Sequence, residues 1–212
     1  MTNELIDRLT QDLKPSRPGA VGARLALATM FGAAAALLGV LLLLGPRPDL
    51  ATAVTSMMFW MKDVYALAIA VVGVMSVERI ARPTGRPGRR LAWLAAPVLL
   101  IGVAAAVQIA RTPVAGLRHL VMGGSAAVCP WLIAAVSVPL FIALMAAVRS
   151  LAPTRLRLAG ALTGLTAGGV AAAAYGLHCG ETGAPFVAIW YSLGILAPCA
   201  LGALTGPRLL RW

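Results

Sequence analysis

Arg24–Leu44 reads RLALATMFGAAAALLGVLLLL. Past Arg24 no residue in this run is charged, and the run is dominated by Leu and Ala. As a helix rising ~1.5 Å per residue it is ~30 Å long, the thickness of a bilayer's hydrocarbon core. A core helix of a soluble domain has no need of such length without a polar face. Five further apolar blocks follow, at about Ser56–Val77, Leu91–Ile109, Ala126–Val148, Leu158–Gly176 and Pro185–Leu204. Pro97, Pro139 and Pro198 fall inside three of them, which is acceptable in a membrane because neighbouring helices re-satisfy the freed carbonyls. The loops between are too short to fold alone. The expected fold is an all-α polytopic membrane protein with six transmembrane helices over residues 21–212. The bulk composition agrees: the 212-residue chain is 60% hydrophobic, against ~45–50% in soluble domains.

The formal charge of +11 would suit a nucleic-acid partner if the cations formed a patch. Instead they sit in the gaps between apolar blocks, where membrane orientation accounts for them. Arg8, Lys14, Arg17, Arg24, Arg79, Arg82, Arg86, Arg89, Arg90, Arg149, Arg155, Arg157, Arg208 and Arg211 fall on one side; Arg47, Lys62, Arg111 and Arg118 fall on the other. The positive-inside rule therefore puts both termini in the cytoplasm. In a bacterial cell the loops at 45–55, 110–125 and 177–185 face the periplasm. No direct nucleic-acid contact is expected, and lipid is the first partner. Met1–Pro18 is polar and the first apolar block is too long for a cleavable signal peptide.

Residues 1–20 form a separate segment. Leu5, Ile6, Leu9 and Leu13 recur at helical spacing among Glu4, Asp7, Arg8, Gln11 and Asp12. Lys14-Pro15-Ser16-Arg17-Pro18-Gly19 ends the pattern. This amphipathic helix of about three turns is marginal alone in water. It suits the membrane interface, or the groove of a soluble partner. The mixed charge weakens the first alternative, which favours Lys and Arg.

Reactive side chains gather in Leu177-His178-Cys179-Gly180-Glu181-Thr182-Gly183-Ala184-Pro185. Cys129, followed by Pro130 and Trp131, lies at the same end of the fourth span, and His119 lies in the third loop. Cys129 and Cys179 form a structural disulfide, a redox- or metal-responsive pair, or two unrelated thiols. His178, Glu181 and His119 are possible accessories. No CxxC or HxxxH pair marks a preformed zinc site; transient capture of a thiophilic ion by the two thiols is the easier metal chemistry. Cys199 sits deeper, as a small apolar filler. Lys62 and Asp63 lie near the outer interface, where Lys62 is expected to snorkel to water behind the Met57–Met61 cluster. Trp190 and Tyr191, after Phe186, read as an aromatic belt. Glu78 and Arg82 are spaced as a helix-surface ion pair. Gly160, Gly164 and Gly168 form a small-residue ridge for close helix contact, either within the bundle or with a second copy of the chain.

Three sets of residues resemble the NrsF-type family of six-span inner-membrane anti-sigma factors. One is the N-terminal helix from Glu4-Leu5-Ile6 to Asp12-Leu13-Lys14-Pro15. Another is Cys129-Pro130 opening the fourth span. The most specific is Leu177-His178-Cys179 with Glu181, Pro185-Phe186, Trp190-Tyr191 and Gly194; Phe59 and Lys62 also resemble the family's second span. The likeness covers nearly the whole chain. It implies an inner-membrane regulator that holds an extracytoplasmic-function (ECF) sigma factor and frees it when heavy metal or oxidant reaches the periplasmic Cys129 and Cys179. Leu5, Ile6, Leu9 and Leu13 then become the expected sigma-factor contact. The chain is expected to be no enzyme and to need no cofactor. Two other readings stand beside it. A small-molecule or metal-ion permease would bury ionisable groups at mid-membrane, and none is evident. A thiol-redox membrane enzyme would be better served by a CxxC.

Overall fold

The computed structural model describes residues 19–82, 85 and 88–211. The amphipathic stripe Leu5, Ile6, Leu9 and Leu13 lies outside them. Among the described residues there is no strand, and six helical runs are long and apolar enough to cross a membrane: Ala20–Leu44, Met57–Ile80, Gly88–Arg111, Cys129–Arg149, Leu156–Gly176 and Ala184–Leu209. These are the six expected spans, with ends shifted by a few residues. The helices are α1 (Ala20–Gly39), α2 (Leu50–Ala53), α3 (Met57–Ile80), α4 (Ala95–Arg111), α5 (Val114–Met122), α6 (Cys129–Arg149), α7 (Leu156–Gly176), α8 (Ala184–Phe186) and α9 (Ser192–Leu209). α1 ends in a π-helical turn, Val40–Leu44, and a second π turn, Val187–Tyr191, joins α8 to α9. The short helix α5, in the loop after the third span, has no counterpart in the sequence reading.

The fifth span, α7, is the axis of the bundle. It is the least apolar of the six and also the most enclosed, with 78% of its apolar stretch buried against 11% for the third span. In lipid the two facts agree. Helices there associate through close packing rather than hydrophobic expulsion, so small residues collect at contacts and large ones face lipid. The peripheral first and third spans accordingly expose Phe31, Leu42, Leu43 and Leu100. α7 packs chiefly on α9, then on α3 and α6.

The α7–α9 contact is built on the glycine ridge. A Cβ on Gly160 would run into the Gly202 carbonyl, one on Gly164 into the Pro198 carbonyl, and one on Gly168 would sit 2.8 Å from the Ile195 carbonyl. The ridge is thus consumed inside the chain and is not left for a second copy. Gly202 answers it, since its own Cβ would meet the Gly160 carbonyl. Thr163 and Thr166, fully buried on α7, bond their hydroxyls to the carbonyls of Ala159 and Leu162, so they carry no unpaired polar group into the core.

Candidate functional site

The helix ends and loops at 45–56, 112–128 and 177–183 meet at one end of the bundle. The chain leaves α7 at Gly176 in a turn rather than a straight exit: the N–H groups of His178 and Cys179 both donate to the Tyr175 carbonyl, at 2.9 and 3.0 Å. That turn folds Cys179 inward. Cys129 opens α6, and its N–H donates to the Ser125 carbonyl at 2.8 Å. Both cysteines are free and buried, 0% and 3% exposed, and their thiols lie within interaction range of each other.

The loop is pinned from several directions. The Arg47 N–H donates to the Leu177 carbonyl at 3.0 Å. The His178 ring pairs through Nδ1 with the Gly45 carbonyl at 2.8 Å. The Cys179 carbonyl accepts from Lys62 Nζ at 2.6 Å and from Arg47 Nη1 at 3.3 Å. Arg47 is itself held by Asp49 through two contacts of 2.6 Å. On the far side Glu181 Oε1 accepts from the Gly124 N–H at 2.8 Å and the Ser125 hydroxyl at 3.1 Å. Gly123 makes room for that carboxylate: its φ is +51°, and a Cβ there would strike Glu181.

Lys62 overturns the snorkelling expectation. It is 1% exposed. Its ammonium lies 5.7 Å from the centre of the Phe59 ring and bonds the loop carbonyl instead of water. A buried cation needs such partners because desolvation is costly. Asp63 beside it has one carboxylate oxygen buried without a hydrogen-bond partner. Gly176 is what lets the loop approach: a Cβ there would hit Asp63 Oδ1 and lie 3.6 Å from Lys62 Cε.

Tyr191 and Phe186 overturn the aromatic-belt expectation. Both are 0% exposed. With Tyr175 they form a wall, with ring centres 6.0 Å apart for Tyr175–Tyr191 and 6.5 Å for Phe186–Tyr191. The Tyr191 hydroxyl is buried without an aligned partner and lies against the Cys179 thiol. Tyr191 closes the π turn, a widening often found at functional sites. Trp190 is tied inward too, its Nε1–H donating to the Val121 carbonyl at 2.9 Å. Among the described residues, Trp60, Trp93 and Trp131 are the exposed indoles.

Charge and hydrogen bonding make the two thiols unequal. The Cys129 thiol beside it, then the Tyr191 hydroxyl, Lys62 and the backbone at Glu181, hold the Cys179 thiol below the ordinary thiol value, against burial, which raises it. These neighbours favour the thiolate of Cys179, and the thiolate is the form that binds soft metal or is oxidised. Two converging sulfurs suit a linear dithiolate to a soft cation, or closure to a disulfide. Among the described residues no three His, Cys, Asp or Glu side chains converge as a metal site.

His178 and Glu181 hold the loop through these hydrogen bonds. His119 is on α5, lining a cleft of about 470 Å³ with Arg118, Met122 and Gly123, and is not among the thiols' neighbours. Cys199 packs at the glycine ridge, its Cα 2.8 Å from where a Gly164 Cβ would be. The sequence reading missed the roles of Lys62, Arg47, Tyr175 and Tyr191. The signal for Lys62 was present: an ionisable residue inside a span is a functional candidate by default.

A family model described as NrsF, negative regulator of sigma F, matches residues 9–212. A protein of Azospira oryzae named probable anti-sigma-F factor NrsF is 41% identical over 211 residues, covering 100% of this chain and 99% of its own. The anti-sigma-F factor NrsF of Caulobacter vibrioides is 41% identical over 214 residues, again covering 100% and 99%. No solved structure matches the chain. A match of that extent carries the thiol end, all six spans and most of the N-terminal segment together, and the chain belongs to the NrsF family of negative regulators of sigma F.

Proposed function

We propose that this protein is an inner-membrane anti-sigma factor. It holds an ECF sigma factor at the cytoplasmic face and frees it when a thiophilic metal ion or an oxidant engages Cys129 and Cys179 from the periplasm. The observation that carries the sensing half is the convergence of two buried free thiols, one opening the fourth span and one in the loop after the fifth, at the end of the bundle poor in Lys and Arg. The holding half rests on family membership. With six spans both termini lie on one side, and the distribution of Lys and Arg makes that side cytoplasmic. Residues 1–18 are then placed to meet the sigma factor through Leu5, Ile6, Leu9 and Leu13.

The mechanism is a two-state one. Bridging of the two sulfurs, by metal or by a disulfide, changes the packing of the loop that joins α7 to α8, and the cytoplasmic surface loses affinity. Cutting affinity tenfold takes about 1.4 kcal/mol of coupling. A permease has less support: Ser137, Thr163 and Thr166 in the core bond to their own helices rather than lining a path.

The test is retention of the sigma factor on membranes with and without mercuric ion or diamide. Cys129→Ser and Cys179→Ser should each insert normally, bind the sigma factor and fail to release it. Normal release by both variants would sink the sensing half; absence of any sigma factor bound to wild-type membranes would sink the holding half.

A further inference from the structure

We infer that Lys62 is a positioning residue that carries a change at the thiol pair into the second span, and so to the opposite end of the bundle. The inference rests on the sensing reading above. Most anchors of the 177–181 loop come from other loops: Gly45, Arg47, Gly124 and Ser125. Such contacts yield with the segments that make them. Lys62 differs. It stands on α3, a continuous helix from Met57 to Ile80, and its ammonium bonds the carbonyl of Cys179 itself at 2.6 Å.

Below Lys62, α3 is packed against the bundle axis without slack. A Cβ on Gly169 would lie 2.9 Å from the Ala66 carbonyl and from the Ala70 nitrogen. One on Gly73 would run into the Thr166 hydroxyl. A helix held that closely moves as a body. Its far end carries Glu78, paired with Arg82 at 3.1 Å. Glu78 also faces the start of α1, with Oε1 3.9 Å from where a Gly22 Cβ would sit. α1 is the helix into which residues 1–18 lead. Lys62 and Glu78 are ~24 Å apart along α3 at the α-helical rise. The path therefore runs from the Cys179 carbonyl through Lys62, down α3, to the root of the N-terminal segment. Bridging Cys129 and Cys179 turns the Cys179 peptide, and an ammonium only 1% exposed must follow its acceptor because losing it would leave a buried charge unpaired.

The experiment separates input from output. Membranes carrying the full chain and its bound sigma factor are treated with mercuric chloride. Free thiols are counted after treatment, and sigma factor retained on the membrane is measured. Lys62→Met, treated until as many thiols have reacted as in wild type, should release sigma factor at least about tenfold less per reacted protein. Lys62→Arg, which keeps a charged donor, should restore release at least in part. Gly176→Ala, whose added methyl meets Asp63 and pushes the loop off α3, should uncouple like Lys62→Met; it tests the same contact if Lys62→Met does not insert. Wild-type release by Lys62→Met or, where that variant fails to insert, by Gly176→Ala overturns the inference. So does a variant whose thiols react differently but whose release per reacted protein is unchanged, because Lys62 would then only position the thiols. Wild-type protein that keeps its sigma factor after both thiols have reacted overturns the sensing reading and this inference with it.

Discussion

Replacing Glu181 by alanine should uncover the thiol pair. The carboxylate joins the residue two places after Cys179 to Gly124 and Ser125, at 2.8 and 3.1 Å. Ser125 in turn accepts the Cys129 N–H, so one side chain spans the two cysteine-bearing segments. Hydrogen bonds to a charged group contribute about 1.5–3 kcal/mol when buried. These lie at a partly exposed edge, so about 1 kcal/mol each, or about 2 kcal/mol together, is the fair figure. The thiols are 0% and 3% exposed, so a reagent reaches them only through local opening, whose population grows as closing contacts are removed. About 2 kcal/mol is a factor of roughly 30 in that population. The assay is the rate of N-ethylmaleimide labelling at Cys129 and Cys179 in intact membranes, read by mass spectrometry in a Cys199→Ala background. Glu181→Ala should label about 10–30 times faster than its parent, and Glu181→Gln, which keeps an acceptor oxygen, should fall between. A Glu181→Ala rate within about twofold of the parent would show that this carboxylate does not keep the thiols covered.

Three further outcomes are expected. Labelling of Cys179 should reach half its maximum at a lower pH than an ordinary thiol, because the Cys129 thiol, the Tyr191 hydroxyl and Lys62 favour its thiolate. A depressed value stabilises the fold above the unfolded-state value, and that contribution is lost as pH falls through the depressed folded-state value, so the thiol end should loosen as pH is lowered. Cys129→Ala removes the largest cause of the depression and should move the labelling midpoint upward; an unmoved midpoint would contradict the pairing. Gly164→Leu should destabilise the bundle by about 1–3 kcal/mol or prevent its packing, since even a Cβ there meets the Pro198 carbonyl, and denaturant titration in detergent should show it. Cys129→Ser and Cys179→Ser should abolish mercuric release of the sigma factor while leaving binding intact.

The six spans were legible because lipid imposes length and apolarity on every crossing segment, one window at a time. The small-residue ridge was legible for the same reason, since close approach of backbones requires residues without bulk. Which partner the ridge takes is a matter of three dimensions, and it takes α9. α5 was missed because a short helix in a loop leaves no span-length signal. Lys62 was misread because snorkelling depends on which way a side chain faces, and near the end of a span either direction is open to a residue four methylenes long. Tyr191 was misread for the same reason: an aromatic residue near the interface serves lipid or core according to the rotation of its helix, which the π turn at Val187–Tyr191 resets.

By itself the sequence marked six segments long and apolar enough to cross a membrane, and it put Cys129 and Cys179 near the same end of them. Those properties follow from local composition. Only the tertiary structure decided that Cys129 and Cys179 meet under a cover latched by Glu181, and that a lysine from the second span holds the carbonyl of one of them. Convergence of residues distant in the chain depends on the angles and rotations at which helices pack. Those are set by contacts such as Gly164 on Pro198 and Gly176 on Asp63, which exist only once the helices have met.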